Sequence, residues 1–258
     1  MFTGLLPEEF VVEVGDPREP APELLAPELP LIARAAEKRR REFAKGRQCA
    51  RAALDRIGIH GFALLAGPQR EPLWPPGVVG SITHVDCLCA VAVGPRERYN
   101  GVGIDVEYAR ILDAAITERI VFPADNVSAA FAALALAPAL IFSAKEAFYK
   151  CQFCVSEQFL NFHDVAIDIA SDGTFSAELR VDAGPLARRT RANGRWREHA
   201  GLFFTAISSA IHHDKDGGRR SEPAHHSHWP AQSQKVEPDR SESTPPTQHA
   251  PAQPHIKG

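Results

Sequence analysis

Alternation of apolar and polar residues is sharpest at Gly101-Val102-Gly103-Ile104-Asp105-Val106-Glu107, where Val102, Ile104 and Val106 share one face and Asp105 and Glu107 the other. A period of two marks a half-buried strand. Further strands are expected at Phe10–Val14, Val78–His84, Cys87–Val93, Val165–Ile169, Thr174–Val181 and Leu202–Ser208. A longer period sets in between Leu31 and Ile57. There Ala36, Arg40, Phe43, Arg47, Ala50, Leu54 and Ile57 recur at spacings of four and three, which predicts one long helix stopping at Gly58. Other helices are expected over Asp113–Phe122, over Val127–Leu136, and from Leu140 through Cys151 once Pro138 is passed.

Charge changes the reading of two of these elements. At strand spacing Asp105 and Glu107 point the same way, about 7 Å apart. Like charges so placed repel unless a cation or a proton lies between them. The long helix carries nine basic residues against three acids between Arg34 and Arg56. Arg40 and Arg47 fall at or beside its apolar line, where a guanidinium is costly without an anion. A phosphate partner is therefore expected for Arg47 and for one of Arg39 or Arg40, while Arg34, Lys38 and Arg41 read as a solvated face. Glu146 and Lys150 are neighbours one helical turn apart, which by itself reads as an ordinary surface ion pair. His84 stands at the end of its strand.

Composition narrows the class. A chain of 258 residues with 44% hydrophobic content suits a globular core, and a net charge of −3 gives no reason to expect a nucleic-acid partner. Five cysteines are an odd number for a disulfide framework, and Met1 to Phe10 lacks the cationic start and apolar stretch of a signal peptide. The longest apolar run, Ala129 to Phe142, contains Pro138 and is too short to cross a bilayer. These features predict a cytoplasmic protein with reduced thiols and no membrane partner. From about His212 onward seven prolines and seven of the eleven histidines crowd into a segment poor in large apolar residues, so 212–258 is expected to be a disordered tail and 1–211 the folded domain. Cys87-x-Cys89 and Cys151-x-x-Cys154 raise a zinc site as a rival, but cysteines in apolar runs suit core packing better.

Three segments then carry a resemblance. Ser81-x-Thr83-His84, Gly103-Ile104-Asp105-Val106-Glu107 and Phe142-Ser143-Ala144-Lys145-Glu146-Ala147-Phe148-Tyr149-Lys150, in this order and at these separations, resemble the 4′-phosphopantetheinyl transferases, above all the bacterial ones serving siderophore, polyketide and mycolate-type synthases. Lys38-Arg39-Arg40-Arg41-Glu42-Phe43, Cys49-Ala50-Arg51 and Trp74-Pro75-x-Gly77-Val78-Val79-Gly80-Ser81 extend the likeness upstream. It covers roughly Leu31 to Ile169 and weakens toward Ile211.

The resemblance implies an α/β (α+β) fold of two pseudo-symmetric lobes, about 1–101 and 102–211, each a small antiparallel sheet packed on a long helix. Coenzyme A would bind between the lobes. It also implies a reaction: Mg²⁺-dependent transfer of 4′-phosphopantetheine from coenzyme A to a serine of an apo acyl or peptidyl carrier protein, releasing adenosine 3′,5′-bisphosphate, with Mn²⁺ able to substitute. By similarity the metal ligands are Asp105, Glu107, Glu146 and the Val106 carbonyl, a hard-oxygen set that suits such an ion. His84 and Lys150 would contact the pyrophosphate, Lys145 would help hold negative charge, and Thr83 would border the coenzyme. Arg39 and Arg47 would grip the 3′-phosphate end. Glu146 would deprotonate the serine, directly or through a metal-bound water. Relatives often carry lysines where this chain has Ala66 to Arg70, so Gln69 and Arg70 are expected to take over coenzyme contact there; Cys87 stands where a glycine is common. The implied state is a monomer. The alternative is a non-catalytic module that binds an anion or coenzyme A, a reading that leaves the three carboxylates without a task.

Overall fold

The computed structural model describes residues 1–20, 23–129 and 134–210, all within one compact unit. The expected tail over 212–258 lies outside the described residues.

The first half of the chain builds a three-stranded antiparallel sheet in the order β1-β3-β2, from β1 (Val11–Gly15), β2 (Val78–Val85) and β3 (Leu88–Pro95). Helix α1 (Glu37–Arg56) lies across it, burying Ala50, Ala53 and Leu54 against Ile82, Cys89, Val91 and Val93. This helix begins at Glu37 and not at Leu31. Ahead of it runs a 3-10 helix, Ala26–Ile32, and the chain is extended at Ala36. Arg40 holds this break open by donating to the carbonyls of Ala35 (2.9 Å) and Ala33 (2.6 Å). Arg40 is thus exposed, and the buried face of α1 is Glu42, Phe43, Lys45, Gly46, Arg47, Cys49, Ala50, Ala53 and Leu54.

The second half builds a six-stranded sheet in the order β4-β9-β8-β7-β6-β5. Its strands are β4 (Tyr99–Tyr108), β5 (Asn126–Val127), β6 (Val165–Ile169), β7 (Thr174–Leu179), β8 (Arg191–His199) and β9 (Leu202–Ala210). All pairs are antiparallel except β5 with β6. Helix α3 (Ala137–Ser156) packs on this sheet, and the short α2 (Ala114–Ile120) precedes it. Pro138 sits in the first turn of α3, where an absent N–H breaks no helical bond. In place of the helix expected over Val127–Leu136 there are the short β5 and a 3-10 turn at Leu134–Leu136; residues 130–133 lie outside the described part. Strand β8 was not legible as one, because Arg191, Arg195, Arg197 and Glu198 hide its alternation; it enters the sheet through backbone pairing with β7 and β9. The mixed fold with two sheets, each carrying a long helix, is the class the resemblance implied.

The two sheets meet edge to edge at β2 and β4 without a backbone ladder between them. Ser81 Oγ instead accepts the Ile104 N–H at 3.1 Å, and Thr83 Oγ1 accepts the Val106 N–H at 3.1 Å. Behind this seam Val102, Ile104 and Val106 are buried with Val79, Ala90, Phe204 and Ala206. The five cysteines are free thiols, Cys49 and Cys89 lying together in the first core, and among the described residues no group of three His, Cys, Asp or Glu is gathered as a metal cluster. No described helix is long and apolar enough to cross a membrane.

Candidate active site

The apolar face of β4 goes into the core, so its alternate residues must face α3. Asp105 lies on that side, 0% exposed. Its Oδ1 accepts from Thr83 Oγ1 (3.0 Å) and from the Lys150 ammonium (2.8 Å), and Lys150 also donates to the Ile104 carbonyl at 3.1 Å. Asp105 Oδ2 is buried with no hydrogen-bond partner. A buried carboxylate oxygen left in this state is costly, and a cation is the partner that suits it. The residue types fit a magnesium-like ion: Glu107 and Glu146 are also nearly buried, at 6% and 7% exposure. Because Val106 N–H points at Thr83, its carbonyl lies on that same edge of β4.

The expected three-carboxylate cage is nevertheless not closed in this structure. Glu107 Oε1 turns back to accept the Tyr108 N–H at 3.0 Å, and Lys150 covers one oxygen of Asp105. Lys150, expected from its spacing to pair with Glu146, lies 2.8 Å from Asp105 Oδ1, the more deeply buried carboxylate, which has more to lose by standing alone.

Two other residues expected at the coenzyme have their polar atoms engaged elsewhere in this structure. Thr83 is fully buried, and its single hydroxyl proton goes to Asp105 while a lone pair takes the Val106 N–H; it positions the aspartate and has no surface for a coenzyme. Lys145 points away from the seam. Its ammonium donates to the Ile120 carbonyl (2.9 Å), the Phe162 carbonyl (2.7 Å) and Asp125 Oδ2 (2.7 Å), and burial lowers its pKa. Lys145 therefore pins the end of α2 and two loops onto α3. Neither Asp125 nor its pairing with Lys145 was anticipated; the only local hint is the Pro123-Ala124-Asp125-Asn126 turn.

On the first sheet's side, Arg39 Nη1 donates to His84 Nε2 at 2.8 Å. A guanidinium can only donate, so Nε2 is the bare nitrogen and the neutral ring carries its proton on Nδ1, 3.8 Å from Glu42 Oε2. Burial lowers the Arg39 pKa, with Glu42 opposing and Arg70 adding to the effect. Arg47 is deeper. Burial brings it down to about 10, Glu28 working against the shift and Arg39 and Arg51 with it. Its guanidinium stacks 4.0 Å over the Phe43 ring and its Nε donates to the Leu64 carbonyl at 2.8 Å. The buried Glu28, on the 3-10 helix, accepts from Arg51 and from the Leu64 N–H. Sequence spacing gave no sign of Glu28, whose charged partner Arg51 lies 23 residues along the chain. Arg39 thus feels Arg70, and Arg47 feels Arg39, a gathering of cations that suits an anion.

A cleft of about 700 Å³ runs beside this region, lined among others by Gln69, Arg70, Trp74, Ser81, Tyr149 and Lys150. It joins the proline-rich loop of the first half to the C-terminal turns of α3. Gln69 Nε2 donates across it to the Glu157 carbonyl at 3.3 Å, and Gln69 Oε1 is buried without a partner. A second hollow of about 380 Å³ is bordered by Lys38, Glu42, His84, Glu107 and Arg110. The structure thus brings Asp105 together with Lys150 and Thr83, and His84 together with Arg39 and Glu42.

With this geometry in view, comparison with known proteins is informative. Residues 27–94 match the 4′-phosphopantetheinyl transferase N-terminal domain, and residues 101–207 match the 4′-phosphopantetheinyl transferase superfamily. The chain is 37% identical over 192 residues to the 4′-phosphopantetheinyl transferase PptT of Mycobacterium tuberculosis, covering 71% of this chain and 85% of that protein. It is 36% identical over 196 residues to Npt of Nocardia iowensis (70% and 86% covered) and 35% identical over 221 residues to Svp of Streptomyces mobaraensis (81% and 89% covered). The chain belongs to the 4′-phosphopantetheinyl transferase family, a family of transferases.

Proposed function

We propose that this protein transfers 4′-phosphopantetheine from coenzyme A to the serine hydroxyl of an apo acyl or peptidyl carrier protein, releasing adenosine 3′,5′-bisphosphate. The folded unit would be 1–211, with lobes meeting near Tyr99 to Gly103. The observation that carries the reading is Asp105: a fully buried carboxylate with one oxygen on Lys150, which itself lines a 700 Å³ cleft, and the other without a partner. The large majority of buried side-chain polar atoms have a hydrogen-bond partner.

Phosphoryl transfer asks mainly for charge neutralisation and in-line positioning. Asp105, Glu107 and Glu146, with the Val106 carbonyl, are the groups that would hold Mg²⁺ (or Mn²⁺), which would supply charge stabilisation at the pyrophosphate. Lys150 contributes an ammonium at the same point. His84, neutral on Nε2 and held by Arg39, offers a polarised imidazole toward the coenzyme once an anion engages the guanidinium. Arg39, Arg47 and Arg70 supply the positive field for the 3′-phosphate end, and Gln69 an amide for the arm. Glu146 would take the serine proton, directly or through a bound water. Carrier domains of siderophore, polyketide or related synthases are the substrate class.

The test is mass spectrometry of an apo carrier protein incubated with this chain, coenzyme A and Mg²⁺. A mass gain of one phosphopantetheine is expected; an unmodified carrier across several carrier types would overturn the reading.

A further inference from the structure

We infer that Lys150 is the resident counter-ion of Asp105 in the ligand-free protein, and that its departure toward an anion in the cleft couples metal binding to coenzyme binding. The inference rests on the proposed reading that both ligands meet at this seam.

Asp105 is fully buried, and an unneutralised carboxylate there would be strongly destabilising. The structure neutralises it with the Lys150 ammonium, 2.8 Å from Oδ1 and anchored on the Ile104 carbonyl at 3.1 Å. Thr83 donates to the same oxygen and fixes the carboxylate, so Oδ2 is the oxygen left without a partner. A divalent ion arriving alone at Oδ2 would face an ammonium a few ångströms away, and like charges at that separation repel strongly off bulk water. Glu107 is meanwhile folded onto the Tyr108 N–H, and among the described residues no trio of ligands is gathered. The resting protein is therefore built to bind the metal weakly.

Lys150 also lines the 700 Å³ cleft, together with Ser81 and Arg70. Its flexible four-carbon stem lets the ammonium turn from the aspartate to a phosphate oxygen in that cleft. Once it turns, Asp105 carries an uncompensated negative charge, with Oδ2 bare and Oδ1 held by Thr83. The pyrophosphate thus uncovers the metal site, and by linkage the metal must tighten coenzyme binding by the same factor.

The experiment is Mn²⁺ binding to the full chain, followed by electron paramagnetic resonance, with and without coenzyme A. In the wild type coenzyme A is expected to tighten Mn²⁺ roughly 10- to 100-fold, the usual range of such coupling. Lys150→Met should tighten coenzyme-free Mn²⁺ about tenfold or more and remove most of the coupling, whereas Lys150→Arg, which keeps a cation on Asp105, should stay near the wild type. Coenzyme-free affinity that is unchanged or weaker in folded Lys150→Met overturns the inference. Should circular dichroism show that variant unfolded, Lys150→Gln replaces it. Should both be unfolded, the Lys150 ammonium signal in the NMR spectrum of the wild type decides: displacement by coenzyme A without metal supports the coupling, and an unmoved signal overturns it. Tighter Mn²⁺ in Lys150→Met with no carrier protein ever modified sinks the transferase reading alone. Carrier modification with unaltered Mn²⁺ affinity in Lys150→Met sinks the coupling alone.

Discussion

A methyl group built on Gly103 would lie 1.8 Å from the carbonyl oxygen of Ala147. The same construction at Gly101 meets the Cys151 carbonyl at 2.2 Å, so β4 runs against α3 with no side chain between them. This contact is what brings Asp105, two residues further along β4, within 2.8 Å of the Lys150 ammonium on the helix. Gly103→Ala must push strand from helix, and both contacting atoms on the helix side are backbone. A loss of about 3 kcal/mol in urea unfolding is expected, at the upper end for overpacking. A variant as stable as the wild type would show that the seam is slack.

Thr83 joins the two sheets and orients the aspartate through one hydroxyl. Thr83→Val keeps the shape but strips the Val106 N–H and Asp105 Oδ1 of a partner each, costing about 2 kcal/mol. Carrier modification should fall with it, and Thr83→Ser should restore both. Rescue of stability without rescue of activity would separate the seam from the aspartate.

Lys145 offers the opposite test. Removing its ammonium leaves the charge of Asp125, whose side chain is 0% exposed, to the Phe122 and Ile167 N–H groups alone. Lys145→Met is expected to lose about 3–5 kcal/mol in thermal or chemical unfolding, as for a broken buried pair. Coenzyme A affinity of the protein that remains folded should be unchanged, because the ammonium is directed at Ile120, Asp125 and Phe162. A large rise in the coenzyme Kd would return Lys145 to the binding site.

Asp105 and Glu146 should differ on substitution. Glu146→Gln is expected to cut transfer by at least about a hundredfold, the usual scale for a removed acid–base group, with little change in melting temperature. Asp105→Asn should abolish transfer and also destabilise, since it leaves the Lys150 ammonium without its carboxylate. Equal stability of the two variants would contradict the buried pair.

Chelation provides the last test. Treatment with EDTA should stop carrier modification, and added Mg²⁺ or Mn²⁺ should restore it, while far-ultraviolet circular dichroism stays constant. Unfolding on chelation would mean that a metal holds the structure together, which the hydrogen-bonded seam between Ser81, Thr83 and β4 argues against.

Periodicity alone determined a good deal of this protein. The alternation of Val102, Ile104 and Val106 against Asp105 and Glu107 marked β4, and the spacing of Phe43, Arg47, Ala50 and Leu54 marked α1. These signals are local, because each depends only on which residues of one segment share a face. The arginine-laden helix face was legible for the same reason, and Arg47 is indeed buried. Tertiary structure decided which charges meet. Lys150 could have served Glu146, its neighbour on the helix, and serves Asp105 instead; Lys145 was taken by Asp125; Arg51 found Glu28. No spacing rule reaches such pairs, since desolvation sets their worth and burial depth appears only when the segments have packed. Strand β8 belongs to the same lesson, because a polar segment becomes a strand when two neighbours already offer it unpaired backbone.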